Sequence, residues 1–191
     1  MKFLKAGLEA LDEVTVIALG SNMAGDFPSS EALLEAALAR FPGAQLPVLA
    51  RSGWWRSAAW PDPGEPEYRN GVALVEKTMR PKAVLEALFS IERSFGRTRV
   101  APNAPRTLDL DLIACGRAVI DAPGLIVPHP RAHERLFVMG PLAEIAPGWV
   151  HPTLGRSAAD LARAATVGRD AAPLVGTTTK SRKRRNPGRH G

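Results

Sequence analysis

The chain has 191 residues, 45% hydrophobic and 23% charged, which suits one domain of ordinary size plus some excess and excludes wholesale disorder. A single cysteine, Cys115, excludes internal disulfides and cysteine-rich zinc sites, and no apolar run approaches the roughly 20 residues of a membrane span, so the expected location is cytoplasmic. The net charge of +6 would point to a nucleic-acid partner, but Lys180, Arg182, Lys183, Arg184, Arg185 and Arg189 crowd residues 176–191 without one acid; the other 19 basic residues equal the 19 acidic ones.

Residues 1–13 read as an N-terminal extension without the continuous apolar core of a signal peptide. Val14-Thr-Val-Ile-Ala-Leu19 predicts a buried strand that runs into a glycine turn at Gly20-Ser-Asn22. Ser29 and Ser30 can cap a helix in which Leu33, Leu34, Ala37 and Leu38 recur at helical spacing, ending near Phe41-Pro-Gly43. Residues 46–57, with the Trp54-Trp55 pair, and 68–77 read as strands joined by a loop carrying Pro61, Pro63 and Pro66. The clearest helix is 81–95, where Val84, Leu85, Leu88, Ile91 and Phe95 share one face and Gly96 follows.

Residues 107–114 alternate Leu108, Leu110 and Leu112 with Asp109, Asp111 and Ile113, the pattern of a half-buried strand. A turn at Gly116, a short apolar segment Leu125-Ile-Val127, a Pro-His-Pro loop and further helical stretches through Leu142 and Leu161 complete a domain of residues 14–170. Strands and helices mix without regular alternation, which favours an α+β sheet with helices on its faces. Residues 171–191 read as a basic, disordered tail.

Asp109 and Asp111, two apart on a strand, present their carboxylates to one face. Such a pair suits a hard cation held jointly with substrate phosphates; equally, it could be an exposed acidic edge. Arg97, Arg99 and Arg106 lie close by in sequence, a set that grips phosphate oxygens or forms surface ion pairs with the acids. No Gly-x-x-x-x-Gly-Lys-Ser/Thr phosphate loop is present. Tyr68 and Asn70 share a strand face, an aromatic plate beside an amide that could stack and hydrogen-bond a flat heterocycle or merely pack at a strand end. His129 sits on a stiff loop between Pro128 and Pro130, and Cys115 reads as a small apolar strand-end residue.

Together these residues resemble a known family. Ala18-Leu-Gly-Ser-Asn22, Tyr68-Arg-Asn70, Gly96-Arg-Thr-Arg99, Pro105-Arg-Thr-Leu-Asp-Leu-Asp111, Val127-Pro-His129 and Arg135-Leu-Phe137 are similar, in order, to the motifs of the 6-hydroxymethyl-7,8-dihydropterin pyrophosphokinases of folate synthesis. The resemblance implies a ferredoxin-like, mainly antiparallel sheet and Mg²⁺-dependent transfer of pyrophosphate from ATP to the pterin hydroxymethyl group, releasing AMP. It implies that Asp109 and Asp111 hold two Mg²⁺ ions and that Arg97, Arg99 and Arg106 clamp phosphates, these five being the catalytic set. Arg135 and His129 would lie near the α-phosphate and ribose, their positive charge favouring departure of AMP, and Leu85, Glu92, Leu112, Leu125 and Ile126 would form the adenosine pocket. Tyr68 and Phe137 would sandwich the pterin, with Asn70 and the backbone of Ser57, Ala58 and Trp60 on its edge.

The chain departs from the common bacterial pattern in a loop one residue shorter between Arg99 and Arg106, without its tryptophan, and in Pro130 and Gly124 where a tyrosine and an arginine are usual; Arg131 is the candidate replacement for a lost phosphate contact. The expected partners are ATP and the pterin, acting on a monomer, with no membrane and no specific nucleic acid. The rival readings are another Mg²⁺-dependent Asp-x-Asp phosphate or nucleotidyl transferase, and a nucleic-acid-binding protein acting through the basic tail.

Overall fold

The computed structural model describes residues 11–59, 64–96 and 107–174. Its elements are β1 (Val14–Ser21), α1 (Ser30–Leu38), β2 (Val48–Arg51), β3 (Trp55–Ser57), β4 (Tyr68–Glu76), α2 (Pro81–Ser94), β5 (Asp109–Cys115), β6 (Ile120–Ala122), β7 (Leu125–Val127), α3 (Leu136–Ile145), α4 (Ala158–Ala164) and β8 (Ala172–Pro173). The main sheet runs β5-β1-β4-β3-β8, with β2 also on β4, and every pairing is antiparallel. β6 and β7 form a separate small hairpin.

Alternation along β1 explains the layering. Ile17 and Leu19 enter one core with Leu33, Leu34, Val84, Leu88 and Ile91, the inner faces of α1 and α2. Val14, Val16 and Ala18 enter a second core with Val138, Met139, Leu142 and Leu161 of α3 and α4. All eight residues of β1 are therefore buried, as a strand covered by helices on both sides requires. Each fully buried aliphatic side chain contributes about 1.5–3 kcal/mol relative to exposure.

Local chemistry sets the element ends. Ser29 caps α1 by accepting from the Ala32 N–H at 3.2 Å, and Pro81 opens α2 at a position that donates no helical bond. The expected long strand 46–57 is instead two short ones, because its middle turns over at Ser52 and Gly53 and sends successive tryptophans to opposite faces. Trp54 packs on Gly71 and donates Nε1–H to Glu35 of α1 at 3.1 Å; Trp55 packs on Gly140 and donates Nε1–H to Glu144 of α3 at 2.9 Å. The same Glu144 accepts from the Gly53 N–H at 2.8 Å.

The expected tail start at 171 needs correction. Ala172–Pro173 pair with β3, the Leu174 N–H donates to the Trp54 carbonyl at 2.9 Å, and the Leu174 side chain packs on the first core. Averaging composition over 171–191 hides these few apolar residues behind the basic run. The rest of the expected tail lies outside the described residues, as does 1–10 of the expected extension; within 11–13, Asp12 pairs with Arg117 and Glu13 with Lys77.

Candidate active site

The site forms where β5 begins. Leu110 and Leu112 face the α1/α2 core, so Asp109 and Asp111 emerge on the other side, half-buried, toward the start of α3. β5 is the edge of the described sheet, so its carboxylates are approachable from the sheet face and around the strand edge. Two hollows meet there, both lined by Asp109 and Asp111.

The first, a cavity of about 150 Å³, is lined by Ser57, Ala58, Tyr68, Asn70, Arg135 and Phe137 over a floor of Ala18, Leu19 and Gly20. Asn70 is buried and donates Nδ2–H to Ser57 Oγ at 2.9 Å, leaving Oδ1 toward Gly20. A Cβ on Gly20 would lie 3.5 Å from that oxygen and 4.0 Å from Asp109 Cβ, in the gap between the amide and the acid. The guanidinium of Arg135 lies 5.8 Å from the Phe137 ring centroid. Burial pulls its pKa down, opposed chiefly by the attraction of Asp111.

The second hollow is largely aliphatic, with Leu85, Phe89, Leu112, Leu125 and Ile126 beside His129 and Pro130. The β6–β7 hairpin supplies Leu125 and Ile126; the Val127–Pro128 peptide is cis, and the His129 N–H donates to the Ile113 carbonyl at 2.8 Å, tying the loop to β5. His129 Nδ1 accepts from the Arg131 N–H at 3.1 Å, so Nε2 carries the proton. Desolvation first, then the charge of Arg135, pushes its pKa down to about 4. The imidazole is therefore neutral near pH 7 in the ligand-free protein, where His129 offers an N–H and Arg135 the charge.

Of the expected site residues, Ser57, Ala58, Tyr68, Asn70, Asp109, Asp111, Arg135 and Phe137 converge on the first hollow, and Leu85, Leu112, Leu125, Ile126 and His129 on the second. Glu92 joins neither lining. It is buried at 2% exposure, and its Oε1 accepts from the Leu110 N–H at 2.8 Å, so it braces β5 between the two acids from behind. Arg97, Arg99, Arg106 and Trp60 lie outside the described residues. Gly20, Phe89 and Val138 were missed by sequence reasoning; a glycine at a strand end beside the Ser-Asn turn was the available signal for Gly20, whereas Phe89 and Val138 look like ordinary helix-core residues.

The donor set fits Mg²⁺. Two carboxylates on alternate strand positions offer hard oxygen ligands, and among the described residues no cluster of three or more His, Cys, Asp or Glu forms a closed cage, so further ligands would come with a phosphate substrate. No described helix is long and apolar enough to cross a membrane.

Comparison with known proteins agrees with the geometry. Residues 16–147 match the family model described as 7,8-dihydro-6-hydroxymethylpterin-pyrophosphokinase. The chain is 40% identical over 143 residues to a 2-amino-4-hydroxy-6-hydroxymethyldihydropteridine pyrophosphokinase of Synechocystis sp., covering 74% of this chain and 71% of the relative. It is 39% identical over 131 residues to the Pseudomonas aeruginosa protein of the same name, covering 69% and 79%. Among solved structures, a Plasmodium falciparum HPPK-DHPS superposes with a TM-score of 0.62 at 12% identity over 84% of this chain, which spans only 47% of that longer protein and supports the ferredoxin-like fold. The chain belongs to the 7,8-dihydro-6-hydroxymethylpterin-pyrophosphokinase family.

Proposed function

We propose that this protein transfers pyrophosphate from ATP to the hydroxymethyl oxygen of 6-hydroxymethyl-7,8-dihydropterin. The observation that carries the reading is the pair of chemically different hollows sharing Asp109 and Asp111. One has the aromatic residues and amide for a flat, hydrogen-bonding ring; the other has the aliphatic walls for an adenosine. Two substrates so seated meet at the carboxylates.

Tyr68 and Phe137 orient the ring, while Asn70 Oδ1, held by the bond from Nδ2 to Ser57, accepts from a ring N–H. The hydroxymethyl oxygen attacks the β-phosphorus and gives up its proton to solvent, the bond from that phosphorus to the α,β-bridging oxygen breaks, and AMP leaves with that oxygen. Arg135 offsets the charge gathering on the leaving group, and His129 donates Nε2–H to an oxygen of the nucleotide. Asp109 and Asp111 would hold two Mg²⁺ ions, which supply charge neutralisation and alignment of the triphosphate. Arg97, Arg99 and Arg106 add phosphate contacts by the family resemblance.

Incubation with Mg²⁺, ATP and the pterin, followed by nucleotide separation, tests the reading. AMP formed in step with pterin consumption supports it; ADP, or no pterin-dependent product, overturns it. Truncation after Val175 should leave this activity intact, whereas its abolition would favour the tail-centred reading.

A further inference from the structure

The ring hollow has two walls that come from distant parts of the chain. β3 and the residues after it carry Ser57 and Ala58; the start of α3 carries Arg135 and Phe137. Residues 166–174, beyond the 16–147 span that matches the family model, run from one wall to the other.

The strap is fixed at both ends. On the α3 side, the Thr166 and Val167 N–H groups donate to the Glu134 carbonyl at 3.0 and 2.9 Å, and the Leu136 N–H donates to the Val167 carbonyl at 2.9 Å. On the β3 side, Trp55 and Arg56 pair with Pro173 and Ala172, and Leu174 donates to the Trp54 carbonyl. Between these anchors, Gly168 and Asp170 each touch one wall. Gly168 has φ +66° and lies so close to Phe137 that an added Cβ would overlap the ring. A side chain here meets both a left-handed backbone and an occupied volume. Asp170 accepts the Ala58 N–H with its Oδ2, on the opposite wall.

We infer that the strap sets the width of the ring slot, with Gly168 and Asp170 as positioning residues for the pterin: Gly168 by backing Phe137 and Asp170 by holding the Ala58 backbone. The inference rests on the pyrophosphokinase reading for the identity of the ring. It predicts a selective effect, because none of residues 166–174 lines the aliphatic hollow.

The test uses full-length Asp170→Ala, Asp170→Asn and Gly168→Ala. Asp170→Ala should raise KM for the pterin about five-fold, the cost of one hydrogen bond to a charged group at a solvent-exposed position. KM for ATP and kcat should stay within about two-fold of wild type. Asp170→Asn keeps an acceptor oxygen and should restore most of the pterin affinity. Gly168→Ala should raise pterin KM about ten-fold or more, through the displaced Phe137. Hydrogen exchange adds a readout independent of catalysis: the Ala58 amide should exchange faster in Asp170→Ala, with Leu110 unchanged.

Selective loss of pterin affinity with rescue by asparagine supports the inference. An unchanged pterin KM, equal loss for both substrates, or unchanged Ala58 exchange in Asp170→Ala overturns it. Should the wild-type protein form no AMP, the pyrophosphokinase reading falls on its own evidence, and faster or unchanged Ala58 exchange then upholds or overturns the strap's hold on the wall.

Discussion

The two hollows are built by different strategies. The aliphatic one gathers α2, β5 and the β6–β7 hairpin, which follow one another along residues 81–130. The ring slot gathers β1, β3, β4, β5 and α3, spread from Ala18 to Val138 and braced by a strap that reaches Leu174. A wall made of elements consecutive in the chain is assembled within one stretch of sequence, whereas one assembled from distant segments depends on specific long-range hydrogen bonds such as Asn70 to Ser57, Trp55 to Glu144 and Ala58 to Asp170. The comparison teaches that ring binding should be the more easily perturbed from afar, and nucleotide binding the more local property.

The sharpest way to break the comparison is at the element both hollows share. Asp111→Ala should lower kcat by about 10³-fold or more while the protein still folds, since the side chain is half-buried at the cavity and outside both cores. Near-normal AMP formation would remove the carboxylate pair from the centre of the reaction. Tyr68→Ala comes next: pterin KM should rise about ten-fold with ATP KM unchanged, and steady-state kinetics with each substrate varied in turn separates the two hollows.

Glu92→Ala should cost about 2 kcal/mol in denaturant unfolding, because the Leu110 N–H loses its buried acceptor; Glu92→Gln, which retains an oxygen, should recover much of that. Equal stabilities of the two variants would mean that the carboxylate does not brace β5. On the aliphatic side, Ile126→Ser removes a 49%-exposed side chain and should raise ATP KM about three-fold without touching pterin KM.

A further prediction is a pH dependence. His129, pushed down to about 4 by burial and Arg135, is neutral in the folded protein while an ordinary imidazole titrates near 6.5. Its contribution is intact above about pH 6.5 and is lost progressively as pH falls to about 4, because only the unfolded chain takes up the proton over that interval. Buried His151, also pushed down to about 4, acts in the same direction. Melting curves from pH 7 to 4.5 should show a smaller fall for His129→Gln than for wild type; an equal fall would mean that His129 binds its proton as readily folded as unfolded.

Much of this could be read along the chain. The alternation of Leu108, Leu110 and Leu112 with two aspartates predicts which face the acids occupy, and the structure places the leucines in the core and the acids in the hollows. The 81–95 helix was equally clear, its apolar stripe lying on β5. Glu92 was legible as a motif position but not as a brace, because a glutamate on a helix carries no local sign of the strand amide it will meet. The division of 46–57 into β2 and β3 was hidden because two adjacent tryptophans continue a strand pattern until glycines on different elements, Gly71 and Gly140, receive them on opposite faces.

What the sequence alone determined is therefore periodic or local: the carboxylate strand, the helix stripes, a serine cap at Ser29 or Ser30, the confinement of excess positive charge to 176–191, and the motif set of the family. What only the tertiary structure decided is contact between segments far apart in the chain: that two unlike hollows share one pair of acids, that His129 is desolvated into neutrality beside Arg135, and that residues 166–174 tie Phe137 to Ala58. The reason is physical. Side-chain periodicity follows from backbone geometry within a few residues, whereas desolvation and long-range hydrogen bonds exist only after the chain has closed on itself.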